Sequence, residues 1–186
     1  MKLNIKKMIM LVILYLIYTY FFKGYIAFLP TLPIYPDNEE EVKIVKEYIK
    51  NRNQDDINFF NLTNKSVVPA FLPIVEEGEK ELKGMVLDIK VQSILLVNKY
   101  VINRARPEQV DTSIKPINKS TAKTPAYPAG HALQAYMLSK VLSVKYPNKK
   151  EILENAAKRC DICRVKAGLH YPSDGEYSKR LVNMFY

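Results

Sequence analysis

No stretch of this 186-residue chain alternates apolar and polar side chains for long enough to make a strand, while apolar residues recur at helical spacing along most of it. A stripe of that period buries one face of a helix against other helices, and no strand ladder competes with it. The expected fold class is therefore all-α, a single helical-bundle domain preceded by one N-terminal hydrophobic helix. No internal repeat is present. Composition, at 48% hydrophobic and 25% charged residues, supplies a core for one domain and excludes disorder for most of the chain.

The stripes place the elements. Asp37 with Glu40 reads as a capping box that opens a helix with Val42, Val45, Tyr48 and Ile49 on one face. Residues 51–65 are polar and Asn-rich and read as a loop, after which Ser66 caps a short helix turning Val67, Val68, Phe71 and Leu72 inward. One long helix is expected from 78 to 104, carrying Leu82, Met85, Val86, Ile89, Leu96 and Tyr100, with Pro107 ending it. Residues 107–128 read as irregular. Helices are then expected from His131 through Val144, from Asn148 and Glu151 towards Val165, and from Pro172, Ser173 and Asp174 to about Met184.

Residues 8–22, MIMLVILYLIYTYFF, follow Lys2, Lys6 and Lys7 and contain no charge. With Lys23 snorkelling, residues 8–29 would reach about 30 Å, the thickness of a bilayer core. The predicted organisation is a membrane anchor over 1–30, a Pro-rich linker over 31–37 stiffened by Pro30, Pro33 and Pro36 at three-residue spacing, and a domain over 38–186. Lysines ahead of the apolar run favour an extracytoplasmic domain on a single-pass membrane protein. A cleaved signal peptide, giving a secreted or periplasmic protein, is the competing reading. Its small-x-small cleavage site is poor, because Tyr25 stands two positions before Ala27. A buried core helix is the third.

The net charge of +9 is uneven: residues 1–23 hold no acid, and no basic stripe with interleaved aromatics follows. Nucleic acid is thus not an expected partner, and the excess suits an anionic substrate or a membrane surface. Cys160 and Cys163 form one C-x-x-C inside a helical pattern and read as two small buried residues, since structural zinc needs further ligands.

The two histidines, His131 and His170, each stand among Gly, Pro and charge at an expected helix start, and a basic cluster from Lys99 to Arg106 precedes both. Phosphoryl transfer without a metal needs cations around the phosphate, a nucleophile, a group that orients it and an acid for the leaving oxygen. Lys99 and Arg106 are seven apart, so two helical turns would put them on one face roughly 10 Å apart. Gly130 before a helix lets backbone N–H groups approach an anion. His170 and Asp174 are four apart, so in a helix the carboxylate would face the imidazole and fix its tautomer. His131 would remain to protonate the departing oxygen.

Lys99-x6-Arg106-Pro107, Pro128-Ala-Gly-His131 and Arg164-x5-His170-x3-Asp174 together resemble the three-part signature of the type 2 phosphatidic acid phosphatase and vanadium haloperoxidase superfamily. The usual form of that signature is K-x6-R-P, P-S-G-H and S-R-x5-H-x3-D. The helices over 38–98 and the single apolar segment are similar in layout to the bacterial class A acid phosphatases. The resemblance implies that Lys99, Arg106, Arg164 and the Gly130 amide bind phosphate, that His170 is the nucleophile, that Asp174 orients it, and that His131 is the acid-base residue. It implies no metal and no cofactor, with vanadate as an inhibitor that mimics the transition state. The chain departs from the pattern at Ala129, where the family has a Ser whose hydroxyl would be worth about 1–3 kcal/mol. It departs again at Cys163, in place of the Ser before the arginine, and at Ala132, where a hydroxyl residue often follows the histidine.

The expected function is a metal-independent phosphatase acting on phosphate monoesters, small or lipid-borne, through a phosphohistidine. Vanadium-dependent haloperoxidase activity is the alternative, disfavoured by the missing donors. A catalytically weak, anchored phosphate-binding protein is the third reading, disfavoured by the His170–Asp174 pair. The loop over 108–127, with Lys115, Lys119 and Lys123, is expected to border the pocket.

Overall fold

The computed structural model describes residues 5–23 and 34–186. Among them all regular structure is helical: α1 (Ile5–Lys23), α2 (Asn38–Lys50), α3 (Gln54–Thr63), α4 (Glu79–Val86), α5 (Ile89–Ile102), α6 (Pro107–Val110), α7 (Gly130–Lys145), α8 (Lys150–Lys166) and α9 (Pro172–Phe185). Single 3-10 turns lie at Val68–Ala70 and Pro147–Lys149.

The hub is α7, which α8 and α9 flank. Leu133, Met137, Leu138 and Leu142 of α7 meet Leu153, Ala157 and Cys160 of α8 and Leu181 and Val182 of α9. From the N-terminal half, Phe59, Val68, Phe71, Leu82 and Val86 complete this core. Each such side chain contributes about 1.5–3 kcal/mol on burial, so the α7–α9 trio is the rigid platform. A second cluster, Val42, Val45, Ile114, Ala126, Val165 and Tyr171, holds α2 against the end of α8, the start of α9 and the segment that follows α6. Cys160 and Cys163 are buried and unlinked, as their setting predicts.

Several expected elements differ, among them the stretch from 107 read as irregular, which opens with α6. The loop expected over 51–65 contains α3. Asn53 accepts the Asp56 amide at 2.9 Å while Asp56 takes the Asn53 amide at 3.0 Å, a reciprocal cap that the Asn-rich composition concealed. Phe59, Phe60 and Thr63 then face inward. The single helix expected over 78–104 is broken at Leu87–Asp88, because the Asp88 carboxylate takes the Lys90 amide at 2.8 Å and starts α5 afresh. The break rotates the buried face to Val91, Leu95, Lys99 and Ile102, and leaves Ile89 and Leu96 exposed. Pro107 does not end that helix. Asn103 does, in the left-handed region at φ 54°, and Pro107 opens α6.

In α1 the side chains from Met8 to Tyr15 are exposed. Among the described residues no helix is long and apolar enough to cross a membrane. The expected span over 8–29 and the linker's first prolines reach into residues 24–33, which lie outside the described ones.

Candidate active site

The site forms where the N-termini of α7 and α9 meet the C-termini of α3, α5 and α8. Two helix ends explain the motif spacings. At the end of α8, Gly168 adopts φ +76°, its amide bonds to the Val165 carbonyl at 2.9 Å, and the Leu169 amide bonds to the Arg164 carbonyl at 3.1 Å. This paired closure ends α8 and reverses the chain towards His170 and α9. A Cβ at 168 would also press on Ile114 at 3.1 Å. At the end of α5, left-handed Asn103 bonds its amide to the Lys99 carbonyl at 2.8 Å and turns Arg106 back towards Lys99. The two cations thus come together across a reversal, not along two turns of one helix face as the seven-residue spacing suggested.

His170 Nδ1 lies 2.9 Å from Asp174 Oδ2. His170 precedes α9, and Asp174 is the third residue inside it, so the pair is a cap geometry in place of the helical i,i+4 pair expected. The same oxygen takes the Tyr171 amide at 3.0 Å. An ionised carboxylate only accepts, so Nδ1 carries the proton and Nε2 presents its lone pair. That lone pair meets Arg106 Nη1 at 3.3 Å. Burial first, and the Arg106 charge second, push His170 down to about 3, leaving it neutral near pH 7. Burial opposes the Asp174 charge, but the His170 hydrogen bond and Arg104 hold its carboxyl below the ordinary value.

His131 sits in the first turn of α7, and its Nε2 donates to the Asn64 carbonyl at 3.0 Å. Burial, then the Arg164 charge, push it down to about 3 as well. Gly130 opens α7 with Leu95 Cδ2 3.2 Å from where its Cβ would be and Lys99 Cε at 3.9 Å, so a side chain here would push the Leu95 tip aside by a few tenths of an ångström. Ala129 is buried and caps nothing with its side chain. Its backbone ties the two helix starts together, its amide bonding to the Asp174 carbonyl at 3.1 Å and its carbonyl taking the Ser178 hydroxyl at 2.9 Å. The Gly130, His131 and Ala132 amides have no partner within the helix, as at any helix start.

The three cations are buried and largely parked on carbonyls. Lys99 donates to Pro125 and Ala126, and burial followed by Arg106 holds it well below its usual range. Arg106 donates to the Thr124 carbonyl at 2.9 Å and the Leu169 carbonyl at 2.8 Å. Arg164 Nη2 donates to the carbonyl of Thr63 and, at 2.8 Å, to its hydroxyl, whereas Nε and Nη1 are buried with no hydrogen-bond partner. Cys163 touches the same Thr63 hydroxyl at 3.9 Å. The loop over 108–127 does border the site: Thr124, Pro125 and Ala126 supply those carbonyls, and Lys115, Lys119 and Lys123 stay exposed.

All seven sequence-derived residues therefore converge. Four others went unnoticed. Thr63 and Asn64 end the helix misread as a loop. Glu41 lies on the buried stripe of α2, one turn before Val45, and an acid within an apolar stripe was its signal. Arg104 is hidden between the two motif cations, and its signal was a basic residue two before the Arg-Pro pair. A cavity of about 750 Å³ lies between α7, α8 and α9, but none of the seven lines it. Among the described residues no three His, Cys, Asp or Glu side chains cluster as metal ligands. Neither a model of any known protein family nor any curated protein matches the chain.

Proposed function

We propose that the chain is a phosphatase of the type 2 phosphatidic acid phosphatase kind, hydrolysing phosphate monoesters through a phosphohistidine without a metal. The observation that carries the reading is the His170 imidazole, fixed by Asp174 with its Nε2 lone pair facing Arg106, together with Arg164, whose Nε and Nη1 are buried without a hydrogen-bond partner. Such donors cost about 1–3 kcal/mol each, and the oxygens of a phosphate relieve that cost.

The phosphate oxygens take hydrogen bonds from Arg164, from Lys99 and Arg106, and from the Gly130 amide at the positive end of α7. As Arg106 turns to the phosphate, His170 Nε2 is released to attack phosphorus while the bond to the leaving oxygen breaks. Anionic charge beside His131 reverses the push that kept it neutral, so His131 takes up a proton and delivers it to the leaving alkoxide. Water then attacks the phosphohistidine, gives its proton to His131, and frees phosphate and neutral His170. No observation favours the haloperoxidase reading.

Attachment to a membrane through residues 8–29, with the domain outside, is part of the same proposal. The lysines ahead of the apolar run and the exposed apolar side chains of α1 support it. Small esters and lipid phosphates are both admitted as substrates.

The test is hydrolysis of a chromogenic phosphate ester and of phosphatidate in mixed micelles by the full chain, with EDTA, a vanadate titration and His170→Ala. Activity that survives EDTA, falls with vanadate and is lost by about 10⁴-fold or more in the variant is expected. A well-folded chain that turns over neither substrate refutes the reading.

A further inference from the structure

We propose that Arg104 is a positioning residue of this site, setting the Asp174 carboxylate and through it the His170 ring, and that the start of α2 holds Arg104 in place. The proposal rests on the phosphatase reading above.

Arg104 is fully buried, and its guanidinium is used on every edge. Nη1 donates to Asp174 Oδ1 and to the Ser173 hydroxyl, both at 2.7 Å. Nη2 donates to Glu41 Oε2 at 2.7 Å and lies 3.4 Å from the Pro36 carbonyl, and Nε donates to Asn38 Oδ1 at 2.9 Å. Its faces are covered by Tyr171, with the ring centroid 3.8 Å from Cζ, and by Tyr35 at 4.4 Å. A planar fork held on its edges and both faces has one orientation, which a lysine could not reproduce.

Asp174 depends on that orientation. One of its oxygens serves His170 and the Tyr171 amide, and the other is met by Arg104. Without Arg104 the second oxygen of a fully buried carboxylate would lose its partner, its rotation would be unopposed, and protonation would be favoured. A protonated or rotated Asp174 no longer fixes the His170 proton on Nδ1. Glu41 secures Arg104 from the far side and clasps Ser173, taking its amide at 3.1 Å and its hydroxyl. Because Pro36 lies near the end of the proline-rich segment and Asn38 and Glu41 follow it, the chain leading into the domain ends on the partners of Arg104. Arg104 contacts His170 only through Asp174, so its effect falls on rate rather than on binding.

The experiment compares the full chain with Arg104→Ala, Arg104→Lys and Glu41→Gln in three readouts. These are kcat and KM on a chromogenic phosphate ester, vanadate inhibition, and the ¹⁵N NMR tautomer and titration of the His170 ring. Arg104→Ala is expected to lower kcat about 100-fold, the scale of a small misplacement. KM should stay within about threefold, vanadate inhibition should weaken in step with kcat because vanadate mimics the transition state, and the His170 ring should lose its single Nδ1–H signature. Arg104→Lys should recover less than half of the loss on a logarithmic scale, and Glu41→Gln should lower kcat about 10-fold. If Arg104→Ala does not fold, Arg104→Lys and Glu41→Gln carry the test. Folded variants with unchanged kcat and an unchanged ring signature overturn the proposal, as does a loss confined to KM. Should the wild-type chain hydrolyse nothing, the phosphatase reading fails, and the ring signature alone still decides whether Arg104 positions His170.

Discussion

His131 and His170 both stand at helix starts and both are driven to about 3 by burial, yet their partners are opposite in kind. On the α9 side the imidazole leans on a carboxylate, which leans on Arg104 and, beyond it, Glu41. On the α7 side it leans on one neutral carbonyl, that of Asn64. A charged partner fixes one tautomer and favours a positive ring as a bond to phosphorus forms. A carbonyl fixes the tautomer but leaves the remaining nitrogen free to gain and lose a proton with the charge around it. Under the proposed mechanism the difference separates a ring whose proton must stay on Nδ1 from one that must gain and lose a proton.

The strongest attack on that comparison is His131→Ala. A general acid matters in proportion to the basicity of its leaving group, so an alkyl phosphate should lose about 10²–10⁴ in kcat/KM while a nitrophenyl ester stays near wild type. Equal losses on both esters in steady-state assays would erase the distinction between the two histidines. A milder change, Ala129→Ser, returns a hydroxyl to the α7 side alone. A rise of about 5- to 10-fold in kcat/KM is expected, matching one hydrogen bond gained in the transition state, and urea melts would confirm that folding is intact. The smallest effect is on stability. The unfolded chain protonates each histidine near pH 6.5, about three units above the folded value, so stability falls as pH drops through that window. Chemical denaturation from pH 7 to pH 5 should give His131→Ala a shallower slope than wild type, by up to about 1.4 kcal/mol per pH unit.

The all-α class and the convergence of the seven candidate residues were legible because helix period and short motif spacings are local properties. Arg164 and His170 lie six apart, and a glycine between them announces the turn that joins them. Long-range partnerships were not legible. Glu41 and Arg104 are 63 residues apart and read singly as a helix-surface acid and one more base in a cluster. The meaning of Lys99 and Arg106 was half legible: their convergence was foreseen, but the left-handed Asn103 that produces it replaced the continuous helix expected. In 51–65 the polar composition outweighed the Asn53–Asp56 cap, and with it went the two carbonyls that Arg164 and His131 use.

Lys99, Arg106 and Arg164 each keep a main-chain oxygen as a companion. For any anion that reaches this pocket, capture is then partly an exchange of acceptors, and what Lys99 and Arg106 contribute is the margin by which a charged oxygen outbids a neutral one. The same companions stand ready to reclaim the side chains when the anion leaves. If the chain is the phosphatase proposed, affinity for a spent product is thereby blunted, an arrangement that favours turnover over retention.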